Sequence, residues 1–293
     1  MPNIVPQQSI PMSPASAATL ACVYEATAPK PGNVHPRARF EDATSYSDFV
    51  TSAVAVGPIL GQAQVAGVGR TVLEAIRATR GVAGTNTNLG TLLLLAPLAA
   101  VPTEQSLQEG VGEVLNRLTT EDTRLVYEAI RLSEAGGLGR SDQADVFSDA
   151  PPQLNLVDAM RLAADRDSIA RQYVNGFADV FAGPASWIEG GSSRGWPLSA
   201  AIVHAHVRQL ALGIDSLIFR KCGPQIAREA SDRAAAVLEV GSPGEPAYQQ
   251  ALGALDAWLR ADGHRRNPGT TADLIAAGLF VLLREGRLDW KVW

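Results

Sequence analysis

From Ser16 onward the chain is written in helix-forming residues, with apolar positions at helical spacing, Gly or Pro between segments, and no convincing run that alternates every second residue. That pattern is the strongest constraint on the fold. Alternation gives a strand one buried and one wet face, whereas Ala, Leu and Arg in a 3.6-residue period give amphipathic helices. The spacing predicts helices over 16–27, 45–64, 66–80, 86–99, 104–117, 121–135, 155–182 with a break, 197–212, 214–221, 223–239, 246–261 and 271–284. An all-α fold follows. With 293 residues, 46% of them hydrophobic, the chain can bury a large core as a single multi-helix globular domain over residues 16–293, after a flexible lead-in over residues 1–15. Two stretches, 136–153 and the tryptophan-bearing 183–197, lose the periodicity and read as loops.

A net charge of −5 argues against a nucleic-acid or membrane-surface binder, so any anionic ligand needs a local basic cluster. Cys22 and Cys222 are too few for a disulfide scaffold or a cysteine zinc site, and a reducing cytoplasm is the expected location. The N-terminus lacks the basic start and apolar core of a secretory signal. Leu89 to Val101 is the longest strongly apolar run, but it contains Pro97 and falls short of the roughly 20 residues that span a bilayer, so it reads as a buried helix.

Four polar segments stand out against this background. In PKPGNVHP, residues 29–36, Pro29 and Pro31 fix the backbone around Lys30 and Gly32 permits a turn. Lys30 and Lys221 are the two internal lysines of only three in the chain, and an ammonium held on a stiff loop suits a phosphate; a helix-ending turn with a solvated lysine is the simpler alternative. GTNTNLG, residues 84–90, sets Asn86, Thr87 and Asn88 before an apolar helix, more than a cap requires, as a candidate nucleotide or phosphate site at the helix start; a purely structural cap is the alternative. HRRNPGTTADLI, residues 264–275, repeats the design with Gly269, Thr270 and Thr271 at a helix start, arginines before them and Asp273 in the first turn as a dipole partner or metal ligand; an ordinary N-cap is again the alternative. GIDSLIFRKCG, residues 213–223, offers Asp215, Arg220 and Lys221, with the aspartate five and six positions from the basic pair and so aimed elsewhere. Asp167 and Arg171 have the spacing of an ordinary helical ion pair. His35, His204, His206 and His264 form no metal motif, and no P-loop, dinucleotide fingerprint or GxSxG is present. Glu25, Lys30, Asn86, Asp215 and Asp273 all lie in polar motifs at helix ends, and are expected to converge on one pocket.

Taken in order, Glu25 with PKPGNV, then TNTNLG, DSLIFRKCG and NPGTTADL resemble the triphosphoribosyl-dephospho-CoA synthases, over about residues 18–285. The resemblance implies an all-helical enzyme in which the 2′-hydroxyl of dephospho-CoA displaces adenine from ATP and the triphosphate stays on the transferred sugar. It implies Mg²⁺, a phosphate clamp of Lys30, Arg220, Lys221 and the 269–271 helix start, and metal or base duties for Glu25, Asp42 and Asp215. The chain departs from the family where Asn-Thr-His-Lys-Gly becomes Asn86, Thr87, Asn88, Leu89, Gly90, so that a basic pair is missing, in the segment after Glu41 and Asp42, and where AGGLGRSDQADV stands in place of a Gly-Gly-Ala-Arg-Gly-Glu-Ala stretch. These departures resemble a divergent branch from organisms that build pterin- or furan-type one-carbon cofactors. Three readings stand: triphosphoribosyl transfer from ATP to a small cofactor-precursor acceptor, another ATP-dependent step of one-carbon cofactor assembly, or a non-catalytic helical interaction protein. A homodimer is compatible with each.

Overall fold

The computed structural model describes residues 10–38, 44–134, 153–263 and 265–288. The chain runs through α1 (Pro14–Thr27), α2 (Tyr46–Leu60), α3 (Ala63–Ala66), α4 (Val68–Ala83), α5 (Leu89–Ala99), α6 (Leu107–Asn116) and α7 (Thr120–Ser133). It continues through α8 (Leu156–Arg161), α9 (Ser168–Asn175), α10 (Ala178–Val180), a π-helical turn (Phe181–Ala185), α11 (Ser186–Ser193) and α12 (Leu198–Leu212), then α13 (Ser216–Cys222), α14 (Pro224–Glu239), α15 (Pro246–Arg260) and α16 (Gly269–Arg284). Among the described residues the sole β-type pairing is an isolated bridge between His35 and Ala38, so the fold is all-α, as the periodicity requires.

Two helices are too apolar all round to sit at a surface, and they form the centre. Every residue of α5 except Gly90 is buried, and every residue of α16 except Gly269 and Asp273. Pro97 inside α5 has no N–H for the Leu93 carbonyl four residues back. The buried Tyr173 hydroxyl of α9 supplies the missing donor at 2.6 Å. Around this centre α1, α2, α4 and α7 complete one core, while α12 to α15 close a second around Val207, Ile218, Tyr248, Leu255 and Leu259. Leu252 of α15 packs against both.

The chain departs from the sequence expectations in three places. The fold takes up the chain before residue 16, because the Met12 amide donates to the Leu283 carbonyl at 3.1 Å and Ser13 caps α1. Residues 183–197 are not a loop: the π-helical turn and α11 run through Ser193, with Trp187 under the Arg208 guanidinium and Trp196 edge-on to His204. The predicted helix 155–182 is four pieces, its second break made where Gly176 and the buried Phe177 both take left-handed backbone angles. The other predicted loop, apart from Gln153, lies outside the described residues.

Candidate functional site

Glu25 occupies the last turn of α1, and the loop that follows folds Lys30 back beneath it. The ammonium is fully buried. It pairs with the Glu25 carboxylate at 2.9 Å and donates to the Glu25 carbonyl and, at 3.4 Å, to the Ala28 carbonyl. Its three N–H groups are thereby committed, which is what a buried charge requires. Lys30 is therefore neither the expected phosphate clamp nor a solvated lysine. Its work is to hold the Glu25 side chain, and the loop depends on the ammonium.

Asp215 also differs from the reading that left its charge free for a metal or a nucleophile. It is the N-cap of α13, where one carboxylate oxygen accepts from the amides of Leu217 and Ile218 at 2.9 and 3.0 Å. The other accepts from the Thr271 amide and hydroxyl, both at 2.8 Å. Burial raises its pKa, and these four donors oppose the shift. The consequence reaches the second motif. The start of α16, expected to seat a phosphate on Gly269, Thr270 and Thr271, already holds the Asp215 carboxylate as its anion. Thr270 is buried, and a side chain at Gly269 would collide with Leu217, its Cβ falling 2.6 Å from Leu217 Cδ2.

Asp167 does not pair with Arg171. It caps α9 and meets Arg220 at 2.7 Å, while Arg171 turns to Asp179 at 2.8 Å. Arg220 thus arrives with one carboxylate in place and, among the described residues, a buried Nε without a partner. Beside it, burial and the Arg220 charge lower the pKa of the half-buried Lys221, which makes no ion pair among the described residues. Asp42 lies outside the described residues.

At the start of α5 the Asn86 side chain accepts from the amides of Asn88 and Leu89, at 3.3 and 3.1 Å. Thr87 donates to Ser52 of α2 at 2.9 Å, and Asn88 accepts from Thr79 of α4 at 3.1 Å. The polar excess in this motif ties α5 to its neighbours. One residue further, the open positions of the two central helices coincide. Thr91 donates to Asp273 at 2.6 Å, and a Cβ built on Gly90 would fall 2.1 Å from the second Asp273 oxygen. Burial first, then the nearby charges of Glu25 and Asp215, push the Asp273 carboxyl up to about 8 despite the Thr91 bond. The same two groups, Glu25 and Asp273, add to the burial that raises the Cys22 thiol on α1.

The Lys30 loop and the lead into α16 lie together, as expected of a shared site. Asn33 donates to Asn267 at 2.6 Å, and Gly32, at φ 73°, has Pro268 and Leu259 so close that a Cβ would sit 2.9 Å from each. Sequence reasoning missed Thr91, Asn33 and Asn267 as site residues. The last two stood inside the quoted motifs; Thr91 could have been noticed as the polar break in a leucine run. No group of three or more His, Cys, Asp or Glu side chains gathers as a metal cage among the described residues. Magnesium commonly takes only one or two protein carboxylates together with phosphate oxygens, and Asp273, whose charge is disfavoured by burial and by Glu25, is a carboxylate that a cation would relieve.

A family profile described as ATP:dephospho-CoA triphosphoribosyl transferase matches residues 11–292. A crystal structure from Archaeoglobus fulgidus, described provisionally as a triphosphoribosyl-dephospho-CoA synthase, superposes with a TM-score of 0.63 at 25% identity, covering 81% of this chain and 99% of the other. No curated protein matches.

Proposed function

The chain belongs to the ATP:dephospho-CoA triphosphoribosyl transferase family, and from that premise we propose that the junction of α1, α5 and α16 moves the triphosphoribosyl group of ATP onto a hydroxyl of a dephospho-CoA-like acceptor, with release of adenine. The observation that carries this reading is the coincidence of Gly90 and Asp273. The two most buried helices of the fold meet at Gly90 and Asp273, and there they present a carboxyl group against a residue with no side chain.

In the reaction the acceptor oxygen forms a bond to the ribose C1′ as the bond from C1′ to adenine breaks; the hydroxyl proton leaves, and adenine departs with the electron pair and takes up a proton. Glu25 suits the first proton transfer. Its carboxylate is fixed by Lys30 and sits near Asp273, and a general base held in place contributes roughly 10² to 10⁴ in rate. The negative charge of Glu25 also favours the positive charge that develops at C1′. Lys221, which makes no ion pair among the described residues, is the cation best suited to the triphosphate, with Arg220 beside it; Arg265, which shares Asp262 with Arg266, donates to the Lys221 carbonyl at 3.1 Å. Magnesium would be held by Asp273, where it would neutralise phosphate charge. Asp215 acts by joining the starts of α13 and α16. Cys22 and Cys222 are free thiols, in keeping with a cytoplasmic site of action. Among the described residues no helix is long and apolar enough to cross a membrane.

The test is incubation of the protein with ATP, Mg²⁺ and dephospho-CoA, with adenine and the acceptor's mass followed by chromatography and mass spectrometry. Adenine release that requires dephospho-CoA supports the assignment. ADP or AMP in place of adenine would replace it with another ATP-dependent reaction.

A further inference from the structure

Glu25 is held by Lys30, and Lys30 belongs to a loop with few backbone bonds of its own: its amide meets the Ala28 carbonyl at 2.7 Å and the Asn33 amide meets the Lys30 carbonyl at 3.2 Å. Two further backbone groups of that turn, the Gly32 amide and the Asn33 carbonyl, are taken from the far side by a single pair on α15. Asp256 accepts from the Gly32 amide at 2.8 Å and from Arg260 Nε at 2.8 Å, and Arg260 Nη2 donates to the Asn33 carbonyl at 2.6 Å. The two residues are four apart on one helix, so they present a preformed fork to the turn. Leu259, between them in sequence, closes on Gly32.

The helix that carries this fork is part of the second core, whereas Glu25 and Asp273 stand on helices of the first. From this geometry we infer that Asp256 and Arg260 are positioning residues: a latch from α15 that sets the Lys30 turn and, through Lys30, the Glu25 carboxylate. The inference rests on the triphosphoribosyl-transfer reading for its effect on rate, and on geometry alone for its effect on the loop. Both side chains are partly exposed, at 36% and 19%, so the pair adds little to global stability. Placement matters far more, since a shift of about 1 Å in a reacting group can cost on the order of 10²-fold in rate.

Two measurements on the full chain test it. Asp256→Ala should lower the kcat of adenine release by roughly tenfold or more with the KM for ATP little changed. Asp256→Asn, which keeps an acceptor for the Gly32 amide, should retain most of the rate. Ser231→Ala, which removes a hydrogen bond to the Ala211 carbonyl in the second core away from the turn, should leave kcat at the wild-type value. Wild-type kcat in Asp256→Ala, or equal losses in Asp256→Ala and Ser231→Ala, would overturn the positioning role. Amide hydrogen exchange reads the latch without turnover: residues 28–34 should exchange roughly tenfold or more faster in Asp256→Ala, with α16 unchanged. Unchanged exchange in that segment would overturn the latch. If the wild type releases no adenine, the reaction assignment fails on its own, and exchange still decides whether α15 holds the turn.

Discussion

Asp273→Asn should make the protein more stable at neutral pH, and the gain should grow with pH. In the folded chain Asp273 keeps its proton up to about 8, against an ordinary 3.8 for the exposed side chain. Between those values the folded state binds a proton that the unfolded state has released. The stability from this group is therefore fully present below about pH 4 and is lost as pH rises through about 8. The loss is close to 1.4 kcal/mol per pH unit within that window, or about 2 to 3 kcal/mol between pH 5 and pH 7. Asparagine keeps an oxygen for the Thr91 hydroxyl and has no proton to lose, so the variant escapes this term, while titrating groups away from Asp273 cancel in the comparison. Urea melts of both proteins at pH 5 and pH 7 measure it. The stability difference, variant minus wild type, should become more favourable to Asp273→Asn by about 2 to 3 kcal/mol across the two pH values. A difference that stays constant would show that Asp273 is ionised throughout, and would remove the electrostatic argument for a cation there.

Lys30→Met should destabilise the fold by about 3 to 5 kcal/mol in denaturant melts, since it leaves Glu25 and two carbonyls without their buried partner; unaltered stability combined with weakened nucleotide binding would restore the phosphate-clamp role. Gly90→Ala should abolish adenine release, because the new methyl carbon falls 2.1 Å from an Asp273 oxygen and 2.5 Å from Ile169 Cδ1; full turnover would exclude that contact from the site. Asp215→Asn should cost about 1 to 3 kcal/mol of stability, as an amide placed against the Thr271 donors leaves one of them unpaired. Loss of turnover at full stability would return Asp215 to the chemistry.

The helices were legible because their signal is local. Apolar spacing, the Pro224 start and the Gly84 stop can all be read without knowing what packs where. The motif carrying Glu25 and the one carrying Asp273 were legible too, as polar residues set against apolar helix. What could not be read was which partner each charge would find. Lys30 looked free because its acceptors are the carboxylate and carbonyl of Glu25 and the carbonyl of Ala28, and sequence spacing says nothing about a loop doubling back. Asp215 looked free because its donors come from α13 and from Thr271, 56 positions away. Asp167 and Arg171 had the spacing of a pair, yet tertiary contacts gave each a better partner. The stretch 183–197 read as a loop because glycine and serine weaken helix propensity, but Gly191 permits the close approach of Ala201 and Trp196, and packing decides the helix there.

The central claim is that Glu25, fixed by Lys30 and placed near Asp273, takes the acceptor proton. Its most direct test is the rate of adenine release from ATP and dephospho-CoA by Glu25→Gln, measured with nucleotide affinity and thermal stability on the same preparation. Turnover should fall by roughly 10² to 10⁴ while nucleotide binding persists. Turnover near that of the wild type in the folded variant would contradict the assignment.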